Sequence, residues 1–183
     1  MNARHAASVL ILAALVGACE PMTAPDSGQS APVASVHTPA QSAQHMVASG
    51  TYAQSAITSL DVRLAGPNTI IEQTSMGSMA GTLSGTFTDE VRVVIHPNGR
   101  FNAKFTITCE CTVDGKQGVL ELNATDTGQM VGPGLAAFNG RAVIKGGTGE
   151  LSGLRGVLDI EGTVDLASGL ATTSYSGNIH FRP

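Results

Sequence analysis

Val143-Ile144-Lys145-Gly146-Gly147-Thr148-Gly149-Glu150-Leu151-Ser152-Gly153-Leu154-Arg155-Gly156 is the stretch whose reading decides the fold. From Gly146 on, five glycines fall within eleven positions, between two runs in which apolar and polar residues alternate. Glycine is favoured where the backbone needs a positive φ or has no room for a Cβ. In sheets it marks bulges, barrel corners and close backbone approach. The stretch predicts a strand ending at Lys145, a tight irregular corner built on Gly146, Gly147, Gly149, Gly153 and Gly156, and a new strand leaving near Arg155. A phosphate-cradling loop is the competing reading. It requires G-x-G-x-x-G between a strand and a helix, whereas after Gly147 and Gly149 the third position is Ser152, and 156–166 alternates as a strand does.

Outward from the corner the same texture repeats. Segments of strand character lie near 54–63, 69–75, 81–95, 100–113, 118–126, 138–145, 156–166 and 170–182. Turn signals separate them: Gly66-Pro67-Asn68, Met76-Gly77-Ser78, Pro97-Asn98-Gly99, Asp114-Gly115-Lys116, Val131-Gly132-Pro133-Gly134 and Ala167-Ser168-Gly169. Past the N-terminus no window carries an apolar stripe at helical spacing. Short connections imply antiparallel neighbours, and eight strands can close around a packed interior or one small ligand. The expected class is all-β, an eight-stranded antiparallel up-and-down barrel. Parity assigns the faces. Phe101, Ala103, Phe105, Ile107, Cys109, Cys111 and Val113 share one side of 100–113; Leu120, Leu122 and Ala124 share one side of the next segment. In a closed barrel exposed to water, that side is the interior.

The corner also carries a resemblance. Ile144-x-Gly146-Gly147-Thr148-Gly149, followed by an apolar residue and Gly156, resembles the corner shared by allene oxide cyclases and plant dirigent proteins. A wider set is similar to bacterial barrels of the allene-oxide-cyclase type: His96-Pro97-Asn98-Gly99-Arg100, Cys111-Thr112-Val113-Asp114-Gly115 and Tyr175-Ser176-Gly177-Asn178-Ile179-His180-Phe181. The matching residues are mostly turn residues. The resemblance therefore implies a calycin-like barrel and no particular chemistry, and no catalytic residue is carried over from either family.

The remaining chain supplies an address. Residues 1–18 read as an export signal, with Arg4 as a short positive region and an apolar run from Ala6 to Ala18 too short to span a bilayer. Val16-Gly17-Ala18-Cys19 resembles the lipobox of bacterial lipoproteins, which implies acylation of Cys19, palmitate-type chains as the membrane anchor, and, with Glu20 next, an outer-membrane destination. The alternative is an ordinary signal peptide with Cys19 incidental. Residues 19–49 have the Pro, Ala, Ser, Gln and Thr composition of a disordered tether, within which His37 and His45 read as solvated. The barrel domain is expected over 50–183. A net charge of −4 gives no basic footprint for nucleic acid, and no ligand spacing suggests a metal or other cofactor.

Candidate site residues follow from the faces. Cys109 and Cys111 lie at i and i+2 on one face, with Cα atoms roughly 6.5 Å apart in an ordinary strand. That is near the upper limit for a disulfide, so a strained disulfide and two buried free thiols compete, with an active thiol pair behind both. Asp89 shares parity with Gly85, Phe87, Val91, Val93 and Ile95. On an apolar face its carboxyl would be costly and its pKa raised, as a general acid or base requires. The commoner solution is a bulge near 88–90 that turns it outward. Tyr175 could present its hydroxyl to a ligand or simply pack in the core. His96 and His180 have no partners at triad spacing, and Arg92 and Arg141 face solvent by parity. The expected work is binding a small, largely apolar molecule in the barrel mouth. The alternatives are a cyclase or isomerase assisted by Asp89 or Tyr175, and a filled barrel acting as an interaction module. Oligomeric state is left open by these residues.

Overall fold

The computed structural model describes residues 45–182; the export signal, Cys19, most of the tether and His37 lie outside them. Eight strands run β1 His45–Ala65, β2 Asn68–Gly81, β3 Leu83–Ile95, β4 Arg100–Val113, β5 Lys116–Gly132, β6 Leu135–Gly147, β7 Leu154–Asp165 and β8 Leu170–Phe181. Each pairs antiparallel with the next, and β8 pairs back onto β1 from His45↔His180 to Ala53↔Thr172, so the sheet is a closed barrel. Closure covers the β8 side of β1 over 45–53, whereas beyond Ala53 the strand continues to Ala65 paired with β2 alone.

Alternation sets the interior as expected. In β4, Phe101, Ala103, Ile107, Cys109, Cys111 and Val113 are buried while Asn102, Lys104, Thr108 and Glu110 are exposed. Arg92 and Arg141 face outward and pair with Glu72 at 3.3 Å and Asp159 at 3.4 Å. Exposed pairs of this kind contribute at most about 1 kcal/mol.

Two boundaries differ from the sequence expectation. β1 begins at His45, inside the stretch read as tether, because 45–49 pairs with β8. His45 is exposed, as expected, and its ring lies beside that of His180, centroids 5.1 Å apart and tilted by 32°. The turn expected at Met76-Gly77-Ser78 is absent, and β2 runs straight through it. Gly77 lies directly opposite Phe87, and a Cβ there would meet the Phe87 ring at 2.6 Å. The same pairing recurs at Gly128 with Phe101, Gly162 with Phe138 and Gly50 with Tyr175. In a small barrel the missing Cβ makes room for a ring from the next strand.

The glycine-rich corner closes one end. β6 continues past Lys145 through a register shift to Gly147, and a single 3-10 turn, Gly149–Leu151, follows before β7. Gly149 and Gly153 have φ of +60° and +82°, which a side chain would strain. The corner folds across the start of β5. Thr148 N–H donates to the Val119 carbonyl at 2.9 Å, Val119 N–H returns a bond to Thr148 Oγ1 at 3.2 Å, and Gln117 N–H donates to Glu150 at 3.0 Å. Leu151 is thereby driven fully inside, beside Leu120, Leu154, Leu83 and Val113, none of which is exposed at all. The opposite end, carrying the β1–β2, β3–β4, β5–β6 and β7–β8 turns, has no such plug among the described residues.

Candidate functional site

The interior is unequally filled along the barrel axis. Above the core that Leu151 completes lies a space of about 40 Å³ lined by Tyr52, Ile107, Leu158, Thr173 and Tyr175. Nearer the open end lies a cavity of about 160 Å³ lined by Val93, Phe101, Ala136, Val164, Ala171 and others. Phe105, Asp126, Phe138 and Ala171 border both. An apolar cavity of roughly 150 Å³ is enough for a benzene-sized guest, so the larger space matches one ring rather than a drug-sized ligand. Among the described residues, no Lys, Arg or His lines either space.

Asp89 is inside. No bulge occurs near 88–90: Asp89 pairs in register with Ser75 and Ile107 and is fully buried. The outward turn is unnecessary because neighbouring strands supply donors. Tyr52 Oη and Ser75 Oγ donate to its two oxygens, and Gln54 Nε2 donates to Oδ2 at 2.8 Å. Gln54 Oε1 in turn accepts the Ala171 N–H at 2.8 Å, and Tyr52 stacks on Phe87 with centroids 4.0 Å apart. Burial pushes the Asp89 carboxyl up to about 7, against hydrogen bonding that favours the anion. Asp89 itself lines neither cavity; Tyr52 and Gln54 do. It is the centre of a satisfied polar network that joins β1, β2 and β3, with the cavity on the far side of its partners.

Tyr175 borders the inner space with its ring, but its hydroxyl is engaged elsewhere. It accepts the Leu83 N–H at 2.9 Å and lies 3.2 Å from the Ala80 carbonyl and 3.1 Å from that of Leu83. The phenol thus satisfies the backbone at the β2–β3 turn, and its pKa is raised by burial. Tyr175→Phe would orphan a buried N–H, which costs about 1–3 kcal/mol. The expected result is a loss of unfolding free energy by that amount, read as a lower urea midpoint at unchanged m, with the cavity unaltered; an unchanged midpoint would remove the hydroxyl from the structural account.

Cys109 and Cys111 form a disulfide, with Cα atoms 5.3 Å apart. β4 keeps a continuous register with β3 and β5 there, so no bulge is involved; the strand is shorter locally than the ordinary rise. Both residues are buried in the plugged half, among the core residues. His96 sits at the β3–β4 turn between Asn68 at 3.1 Å and Asn102 at 3.0 Å, and among the described residues no cluster of three metal-ligating side chains occurs.

The residue that sequence reasoning missed is Asp126. The inward row of β5 runs Leu120, Leu122, Ala124 and on to Asp126, which is 4% exposed. Gly140 faces it on β6, where a Cβ would lie 2.5 Å from the Asp126 Cβ. Among the described residues neither carboxyl oxygen has a hydrogen-bond partner, and burial pushes the group up to about 7. Parity alone would have found it, by counting two residues past Ala124.

Comparison with known proteins bears on the fold. No family model matches the chain, and no curated protein matches it. Among solved structures it is similar to a protein of unknown function of the DUF3224 family from Shewanella oneidensis MR-1, with a TM-score of 0.54 and 17% identity, covering 76% of this chain and 99% of that one. It is also similar to a pterocarpan synthase dirigent protein, with a TM-score of 0.48 and 12% identity, covering 84% and 100%. At 17% identity the likeness to the first concerns fold alone.

Proposed function

We propose that this barrel is a binding module for a small, largely apolar molecule of single-ring size, taken up through the open end. The observation that carries the reading is the asymmetry of the interior. One end is plugged by Leu151 and its neighbours, whereas the other keeps an apolar cavity of about 160 Å³ with few polar groups, the usual make-up of a ligand site. A filled interaction barrel would have no reason to leave that space.

The test is nuclear magnetic resonance of the chain titrated with toluene. Shifts are expected at Val93, Ala136 and Val164, with none at the plugged end. Ala136→Phe, which fills the space, is expected to abolish them at a cost of about 1–3 kcal/mol of overpacking. Absence of saturable shifts, or shifts scattered over the outer wall, would overturn the proposal.

A second reading, a cyclase or isomerase, is favoured by one observation: a buried carboxyl without a partner, Asp126, borders the cavity. Asp89 and Tyr175, the residues the sequence suggested for that role, have their polar atoms committed to protein partners. The address belongs to the same proposal. Acylation of Cys19 would tether the barrel to the outer membrane, and mass spectrometry of protein extracted from its own membrane tests this by acyl mass on a chain beginning at residue 19.

A further inference from the structure

Resting on the binding reading above, we infer that the ligand carries a protonated amine, and that Asp126 is the residue that receives it. Among the described residues, Asp126 has both carboxyl oxygens buried without a partner. It stands where the two interior spaces meet. A buried polar group in this condition is rare in a folded protein and calls for an explanation. Nor do the strands beside it offer a donor, because Asp126 stands between Ala103 on β4 and Gly140 on β6, neither of which carries a polar side chain.

The surroundings select the sign of the partner. Besides Asp126, the outer cavity is lined by Gln54, which is spent on Asp89 and Ala171, and Gln73. With no basic residue lining either space, an anionic guest would meet only a like charge. A cationic guest would supply the missing donor and countercharge together, in a setting where charge-assisted bonds are strong. The remaining walls, Phe101, Phe138, Val93 and Val164, are apolar and suit a hydrocarbon body. The fitting class is a compact arylalkylamine or alkylamine with one ammonium group.

The test uses three probes of nearly one shape: benzylamine, benzyl alcohol and toluene, titrated calorimetrically into the purified wild-type chain and into D126N at pH 7.5. Benzylamine is expected to bind at least tenfold more tightly than benzyl alcohol to wild type. In D126N that preference is expected to vanish while toluene binding persists. Should D126N fail to fold, D126L serves in its place, since leucine suits the apolar walls. If toluene and benzyl alcohol bind and benzylamine gains nothing, the amine inference falls while the binding reading stands. A preference that survives in the folded variant overturns the assignment to Asp126. If none of the three binds wild type, the binding reading and this inference fall together.

Discussion

Leu151→Asp is expected to leave the chain largely unfolded at neutral pH, and Leu151→Ala to lower its stability by about 2–5 kcal/mol. Leu151 has no exposure and completes the plugged end with Leu120 and Leu154. Truncation to alanine removes the transfer energy of the side chain and leaves a cavity that the surrounding strands cannot fill. An aspartate there adds an ionised group without a donor, a penalty on the scale of the total 5–15 kcal/mol that holds an ordinary domain together. Gly147→Val should act through the same place, since its Cβ would overlap the Leu151 carbonyl and lie 2.9 Å from Leu120 Cδ2. Urea unfolding followed by circular dichroism measures all three. A Leu151→Ala loss under 1 kcal/mol would mean that the corner is an ornament on the barrel and not its plug.

Stability is expected to fall as pH rises from 5 to 8, and Asp126 is one of two causes. Its folded pKa is raised from 3.8 to about 7 by burial, so between those values the folded chain holds a proton that the unfolded chain has released. The contribution is fully present below pH 3.8 and is lost progressively until the folded carboxyl ionises near 7. At about 1.4 kcal/mol per pH unit per proton, the loss between pH 5 and 8 is on the order of 2–3 kcal/mol from this group. Asp89, also raised to about 7 by burial against its hydrogen bonds, adds a comparable loss in the same direction. Denaturant unfolding of wild type and D126N at both pH values checks this. The variant should show a clearly flatter dependence; equal slopes would show that Asp126 does not titrate inside the fold. A ligand amine saturating the site should flatten the wild-type profile too, because it stabilises the ionised carboxylate.

The barrel was legible because its signal is local. Period-two alternation in 100–113 puts Phe101 through Val113 on one face whatever the rest of the chain does, and Gly-Pro-Asn, Asn-Gly and Asp-Gly mark turns by their own backbone preferences. Eight such segments with short links leave few topologies besides a closed meander. Glycine was the ambiguous letter. Gly149 and Gly153 need positive φ, a local property, and the corner is where the sequence put it. Gly77 is glycine because a ring from β3 lies on it, and nothing within Met76-Gly77-Ser78 reveals that, so it read as a turn.

The candidate site divides the same way. Which side chains point inward follows from the strand period, and extending the β5 row by one more step reaches Asp126 from the sequence alone. Whether an inward carboxyl is satisfied does not follow, because its partners come from other strands at distances set by closure. Asp89 stays inside since β1 and β2 bring Tyr52, Gln54 and Ser75 to it across separations of 37, 35 and 14 residues. Asp126 stands between Ala103 and Gly140 at a largely apolar cavity, with no hydrogen-bond partner among the described residues. The amino-acid order determined the strands, the corner and the two inward acids; the tertiary structure decided which acid is spent on the fold and which is left free, because hydrogen-bond partners and empty volume exist only after the strands have been brought together.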